Sequence, residues 1–415
     1  MSNDNSIENE YQNLLEIANR RGGRLDYNMV YYLATLDPLK ALGISTLITR
    51  LSVDGIEVQD DLGQVEPEAP SLEVHPFDPS LVNIICPPLT IDSLIKRIKN
   101  KEIEFASEFQ RKAGLWTNKQ KSQLIESILL QIPLPAFYFD ATNDDKWIII
   151  DGLQRTTAIK EFIVDETLIL SGMEFFADLD GQKYSLLPRS FQRRIEETHI
   201  LAYKVCSPTP PNVKFNIFKR INTGGLLLTA QEIRNALFQG KATRFLNSAS
   251  KLSAFTEATA YAIEVDRMLD REFVLRFIAF CYLGVNMYYG DIDSFLNNAM
   301  DWLNVQTDDK LIEIQNEFIR VMDASNRLFG IYAFRKMGED GKRRPINKAV
   351  FSAWCSIIHN LDKQKLSKLI ARKHRLHEEF IACCENRTDL WKSNDKSTVT
   401  NQFLFLEKMV NRVLL

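Results

Sequence analysis

The 415-residue chain is short of everything that would make a rigid metal or disulfide framework. It has six cysteines, Cys86, Cys206, Cys281, Cys355, Cys383 and Cys384, and none forms a C-x-x-C pair. Most sit in apolar runs. They read as reduced, buried thiols of a cytoplasmic protein, which argues against a disulfide scaffold and a zinc site. Only 17 glycines and 14 prolines are present, too few for a fibrous or mostly disordered chain. No apolar run reaches the ~20 residues that a membrane span requires. Arg276 and Asn286 interrupt the nearest one, Phe273–Tyr289. The first ten residues are polar and acidic, unlike a secretory or transit signal.

What is present is the balance of a globular protein, with 45% hydrophobic and 25% charged residues. The net charge of −3 hides an asymmetry. Residues 1–80 hold 14 acidic and 5 basic residues, so the rest is mildly basic. An acidic piece on a basic body can mask a polyanion site or serve solubility alone.

Four stretches follow from the patterning. Residues 1–60 read as a small acidic helical unit and 61–80 as a linker. Residues 81–240 alternate helices and strands, and 241–415 are almost wholly helical. In the third stretch, helices are expected over 91–99, with Thr90 as N-cap, and over 119–131, stopped by Pro133. Residues 136–141 and 147–150 read as a hairpin around Thr142–Asp145. Thr229-x-x-Glu232 is a capping box. In the last stretch, helices are expected over 271–289, 292–303, 310–328, 366–384 and 403–414. Another is expected over 346–361, with Pro345 in its first turn.

Three polar clusters could carry chemistry. The first is Ile150-Asp-Gly-Leu-Gln-Arg-Thr-Thr157. A buried strand ends at Asp151, Gly152 permits a tight turn, and a helix begins at once. Its unpaired N–H groups and macrodipole suit an anion. Arg155 adds forked donors, and Thr156 adds a hydroxyl. Asp151 could hold a metal, orient a water or bind a sugar hydroxyl. A turn capped by Asp151, with Arg155 in an ordinary salt bridge, accounts for the same residues. The second cluster is Glu108-Phe-Gln-Arg-Lys112 with Trp116. Here Arg111 could reach the same anion, or the loop could simply be solvated. The third runs through Arg220-Ile-Asn-Thr-Gly-Gly225. Asn222 and Gly224 could form an oxyanion nest, or the segment could be a glycine cap.

Taken in order, several motifs carry a resemblance: Phe109-Gln-Arg111, Trp116, Pro133-x-Pro135, Ile150-Asp-Gly-x-Gln-Arg155, Arg220-Ile-Asn-x-Gly-Gly225 and Leu228-Thr-x-Gln-Glu-Ile-Arg234. Residues 85–240 resemble the N-terminal domain of GmrSD-type modification-dependent restriction enzymes, within the ParB/sulfiredoxin-like superfamily. The resemblance implies an α+β nucleotide-binding core flanked by a small N-terminal helical domain and a helical C-terminal domain. It implies an NTP ligand, with or without Mg2+, and hydrolysis in some members. It places Asp151, Gln154 and Arg155 as catalytic residues. Gln110, Arg111, Gly152, Thr156, Arg220, Asn222 and Gly224 become nucleotide-binding residues. Many relatives have glutamine where Leu153 stands, so binding is better founded than hydrolysis. The expected function is an NTP-binding sensor or regulator in prokaryotic defence against foreign or modified DNA. Expected partners are nucleotide, DNA and a separate nuclease or effector, with no membrane. The alternative is a non-enzymatic DNA-binding or adaptor module masked by the acidic unit.

Two smaller patterns complete the reading. His374-x-x-His377 lacks a third ligand and reads as a solvated helix face, so nuclease activity is not expected. The segment from Arg24-Leu-Asp-Tyr27 to Gly55-Ile-Glu-Val58 is similar to the acidic first region of primary sigma factors. That likeness implies occupation of a DNA channel.

Overall fold

The computed structural model describes residues 44–59, 79–105, 116–221 and 228–415 continuously, with residues 8, 11, 12, 14, 15, 18, 24–26, 30, 65 and 66. The fold is α+β. Near the N-terminus, β1 (Arg24–Asp26) pairs in parallel with β2 (Glu57–Gln59), and α1 (Ile44–Val53) lies between them in sequence. Leu25, Leu47, Leu51 and Ile56 form a small core there.

The next stretch builds a mixed five-stranded sheet in the order β3-β9-β6-β7-β5. Its strands are β3 (Ile84–Ile85), β5 (Ile103–Glu104), β6 (Phe137–Asp140), β7 (Trp147–Asp151) and β9 (Ala202–Val205). A separate antiparallel pair joins β4 (Leu89–Thr90) to β8 (His199–Ile200). The expected hairpin is present, since β6 and β7 are antiparallel neighbours. Alternation along β6 divides its side chains between the two faces. Phe137 and Phe139 enter a core with α2 (Ile91–Lys99), α3 (Asn118–Leu129) and α4 (Leu153–Ile159). Asp140 is buried and accepts from Lys214 Nζ at 2.9 Å. Lys214 belongs to α6 (Pro211–Ile221). Phe215 and Phe218 of α6 pack with Ile233 of α7 (Ala230–Leu237) and Val205.

Local signals explain the helix starts. Thr90 caps α2 through Ser93 N, and Thr117 forms a full capping box with Gln120. Thr229 and Glu232 do the same for α7. Between β7 and the second half of the sheet, α5 (Arg189–Glu197) leads into β8.

From Phe238 onward one large core unites the remaining helices. These are α8 (Lys241–Ala249), α9 (Ser253–Ala258), α10 (Leu269–Ile278), α11 (Ile292–Asn304), α12 (Asp308–Phe329), α13 (Lys348–His359), α14 (Lys363–Ala371), α15 (Lys373–Asn386) and α16 (Lys396–Leu414). Three expectations are corrected here. The 271–289 helix gives way to a π turn over 279–283 and ends at Gly284, whose φ is +83°. The 366–384 helix breaks at Arg372, which caps α14 and donates to Val413 O at 2.7 Å. Pro345 does not open α13, because Ile346 forms β-bridges to Arg335 and Val65 before Asn347 caps the helix. No helix among the described residues is long and apolar enough to cross a membrane.

Candidate functional site

The first polar cluster becomes a strand–turn–helix corner. β7 ends at Asp151, Gly152 adopts φ +93° as the N-cap, and α4 follows. A methyl group at Gly152 would sit 2.8 Å from Phe137 Cδ1, so the corner requires glycine for conformation and for space. Register along the hairpin sharpens the geometry. Phe139 faces Ile149 while Tyr138 faces Asp151, leaving Ile150 as the extra residue of a bulge. Bulges bend a strand and re-aim side chains at its end. Here the bulge places Tyr138 and Asp151 on the same cleft.

Arg155 is almost completely buried. Its guanidinium donates to Pro135 O, to Ala136 O at 3.2 Å and to Asp151 Oδ2 at 3.0 Å. It also lies 4.6 Å from the Phe137 ring centroid. Burial pulls its pKa below the ordinary arginine value, against the opposing influence of Asp151. Arg155 therefore clamps the entry to β6 onto the end of β7, and part of it remains on a cleft wall. That cleft has a volume of about 730 Å³. Asp151, Arg155, Trp116, Gln123 and Tyr138 line it, with the 132–136 loop along one side. Such a volume suits a small-molecule ligand, for which ~300–1,000 Å³ is usual. Tyr138 stacks on Tyr203 at 5.0 Å, and burial, with Tyr203 and Asp151 nearby, raises its pKa.

The remaining expected residues divide. Gln154 is not on the cleft wall; its Oε1 accepts from Trp116 N at 3.2 Å and so fixes where Trp116 enters the site. Thr156 is fully buried, and its hydroxyl donates to Gly152 O at 2.9 Å within its own helix. Arg220 is exposed near the end of α6, whose last residue, Ile221, reaches the cleft. Gln110, Arg111, Asn222 and Gly224 lie outside the described residues. Sequence reasoning missed Gln120, Gln123 and Ser127, which line the cleft from α3. Their i, i+3, i+7 spacing was a legible polar stripe beside the apolar face.

The Leu228-Thr-x-Gln-Glu-Ile-Arg234 motif forms a structural seam. Arg234 is fully buried; it donates to Asn297 Oδ1 at 3.0 Å and pairs with Asp293 of α11. Glu232 is held by Arg267 at 2.9 Å. His377 is half-buried rather than solvated, with Nε2 2.7 Å from Leu328 O and its ring stacked on Phe329.

The site is thus a polar cleft at a strand–turn–helix corner of an α+β fold. The family comparison is more specific: residues 91–239 match the model of the GmrSD restriction endonuclease N-terminal domain. The match begins at α2 and ends just after α7, so it encloses the whole corner. No curated protein matches the chain.

Proposed function

We propose that this protein binds a nucleoside triphosphate in the Asp151–Arg155 cleft and acts in restriction of foreign or modified DNA. In this reading the core is ParB/sulfiredoxin-like. The observation that carries the proposal is that the cleft opens at the Asp-Gly-x-Gln-Arg corner inside the segment matching the GmrSD N-terminal domain. Trp116 and Tyr138 offer apolar ring surface to a base. Gln120 and Gln123 offer amides, and Asp151 offers a carboxylate to a sugar hydroxyl or to Mg2+. Arg155 holds the wall in shape and lends its remaining surface to the ligand. Gln154 acts through Trp116. Gln110, Arg111, Arg220, Asn222 and Gly224 are proposed as further nucleotide-binding residues. Hydrolysis, if it accompanies binding, uses Asp151 to position water.

Calorimetry with the four NTPs, with and without Mg2+, tests this. Wild type is expected to bind at least one of them. A Gln123→Ala/Asp151→Asn variant should bind it at least tenfold more weakly, as expected for the loss of two polar contacts of ~1 kcal/mol each. Absence of heat with every nucleotide would overturn the assignment.

One contact favours a second reading, a DNA-binding or adaptor module covered by its own acidic segment. Glu66 accepts from Lys336 Nζ at 2.7 Å and from Asn347 Nδ2 at 2.8 Å, and its N–H donates to Ile346 O at 2.8 Å. Glu66 is thus docked on the lysine- and arginine-rich stretch 335–348. Removal of residues 1–70 should tighten DNA binding with a steep salt dependence. Unchanged affinity removes this reading.

A further inference from the structure

A second hollow, of about 620 Å³, lies against the same loop as the candidate cleft, and the two share Ile132, Pro133 and Leu134 as a common wall. Its opposite side is α5. Ser190, Arg193, Arg194 and Glu197 are spaced i, i+3, i+4 and i+7, so they fall on one helix face, and all four line the hollow. Ile195, pointing elsewhere, is buried in the core. His199 of β8 also lines it.

The arginines of this helix are treated unequally. Arg189 is spent on Glu196, at 2.8 Å. Arg193 is exposed and has no hydrogen bond or ion pair among the described residues. Arg194 is half-buried, and its Nε is shut away from water with no hydrogen-bond partner among the described residues. An enclosed donor without an acceptor is uncommon in folded proteins and calls for an explanation. Guanidinium groups fit phosphate through paired N–H donors. Glu197 also lines the hollow but pairs with neither arginine. Two guanidiniums thus face one carboxylate. In the first cleft, Asp151 and Arg155 neutralise each other.

The two hollows therefore differ in charge and are alike in size. Each has room for about one nucleotide-sized unit by the usual range of ligand cavities. We propose that together they form one groove for a single-stranded oligonucleotide. One nucleotide unit occupies the Asp151 cleft, and the adjoining phosphodiester lies across Pro133 on Arg193 and Arg194. A single strand is required because a base within a duplex is stacked and cannot enter a walled cleft. This inference rests on the nucleotide reading of the first cleft and adds a polymeric ligand and its charge partners.

The test uses the full chain, a fluorescent single-stranded oligodeoxynucleotide and the four NTPs, across a series of salt concentrations. Arg193→Gln/Arg194→Gln should weaken the oligonucleotide at least tenfold, since the charge-assisted hydrogen bonds to the phosphate are lost. It should flatten the slope of log affinity against log salt by about 0.7, the value for one phosphate contact of a single strand. NTP affinity should change less than twofold. Arg193→Gln alone, at an exposed side chain, should flatten the slope in the same direction by less than the double variant does, without altering the melting temperature. An oligonucleotide slope that both variants leave unchanged overturns the proposal, even if NTPs bind. Arginine-dependent oligonucleotide binding with no NTP binding supports the phosphate role and refutes the mononucleotide reading of the first cleft.

Discussion

Arg155 and Arg234 sit in two comparable regions and do different work. Both lie in sequence motifs, both are buried, and both stand near aromatic rings, Phe137 and Phe215. Arg155 holds two loop carbonyls and a one-third-exposed carboxylate beside an open cleft. Arg234 is enclosed among Gln231, Asp293 and Asn297, where α7 meets α11. Lys219 reaches the same Asp293 at 2.6 Å, and Asn297 continues the network to Asn212 at 2.9 Å. The same type of side chain thus borders an open cleft in one region and seals a helical seam in the other. A motif arginine is evidence of constraint; what faces it decides between binding and architecture.

The comparison can be broken most forcefully at the seam. Arg234→Met should destabilise the protein by about 3–5 kcal/mol, because it leaves a largely buried carboxylate short of its main partner. Urea titration measures this, and ligand binding by the folded fraction should be unchanged. If instead binding is lost with little change in stability, the seam and the cleft have been assigned the wrong way round.

Acid should expose the helical region next. Burial raises the pKa of Glu272, but Arg276, Lys348 and Arg234 outweigh it and hold the carboxyl at about 2. A depressed folded-state value means that this stability is fully present above the unfolded value of 4.5 and is lost as pH falls from there towards 2. Glu272→Gln should flatten the acid limb of a stability–pH curve by up to one proton. An unaltered limb would show that other carboxylates carry it.

Arg155→Met is the matching change at the cleft, with an expected loss of about 2 kcal/mol from two carbonyls left without their donor. Asp151 is one-third exposed and can rehydrate, which keeps the effect below that at Arg234. Nucleotide affinity should fall together with stability, and thermal shift with and without ligand separates the two losses. The smallest effect is expected from Gly152→Ala, about 1–2 kcal/mol for a strained positive φ and a crowded methyl. A neutral result in thermal denaturation would mean that the corner relaxes more readily than its packing against Phe137 implies.

Much of the scaffold was legible along the chain. The hairpin turn at Thr142–Asp145 and the caps at Thr90 and Thr229 depend on neighbours within a few residues. The very short strands β3, β4 and β5 were not legible, because two residues carry no periodicity and are defined only by their partners. The start of α13 was misplaced for a related reason. Ile346 is claimed by bridges to Arg335 and to Val65, the latter nearly 300 positions away. At the site, Asp151, Gly152 and Arg155 were recognisable from type and spacing. Tyr138 was not, since its place on the cleft follows from a bulge in the opposite strand.

By itself the sequence determined the local devices: a strand ending in a carboxylate, a glycine whose left-handed backbone turns the chain, and a helix beginning with a guanidinium on its first turn. Those outcomes depend on torsion preferences and hydrogen bonds within a few residues. Only tertiary structure decided that Arg155 would spend donors on Pro135 and Ala136, or that Ile132–Leu134 would stand between two hollows. It alone left Arg193 and the Arg194 Nε without a partner among the described residues beside one of them. Contacts and cavities of this kind arise from how distant segments pack, and no short window of residues encodes that packing.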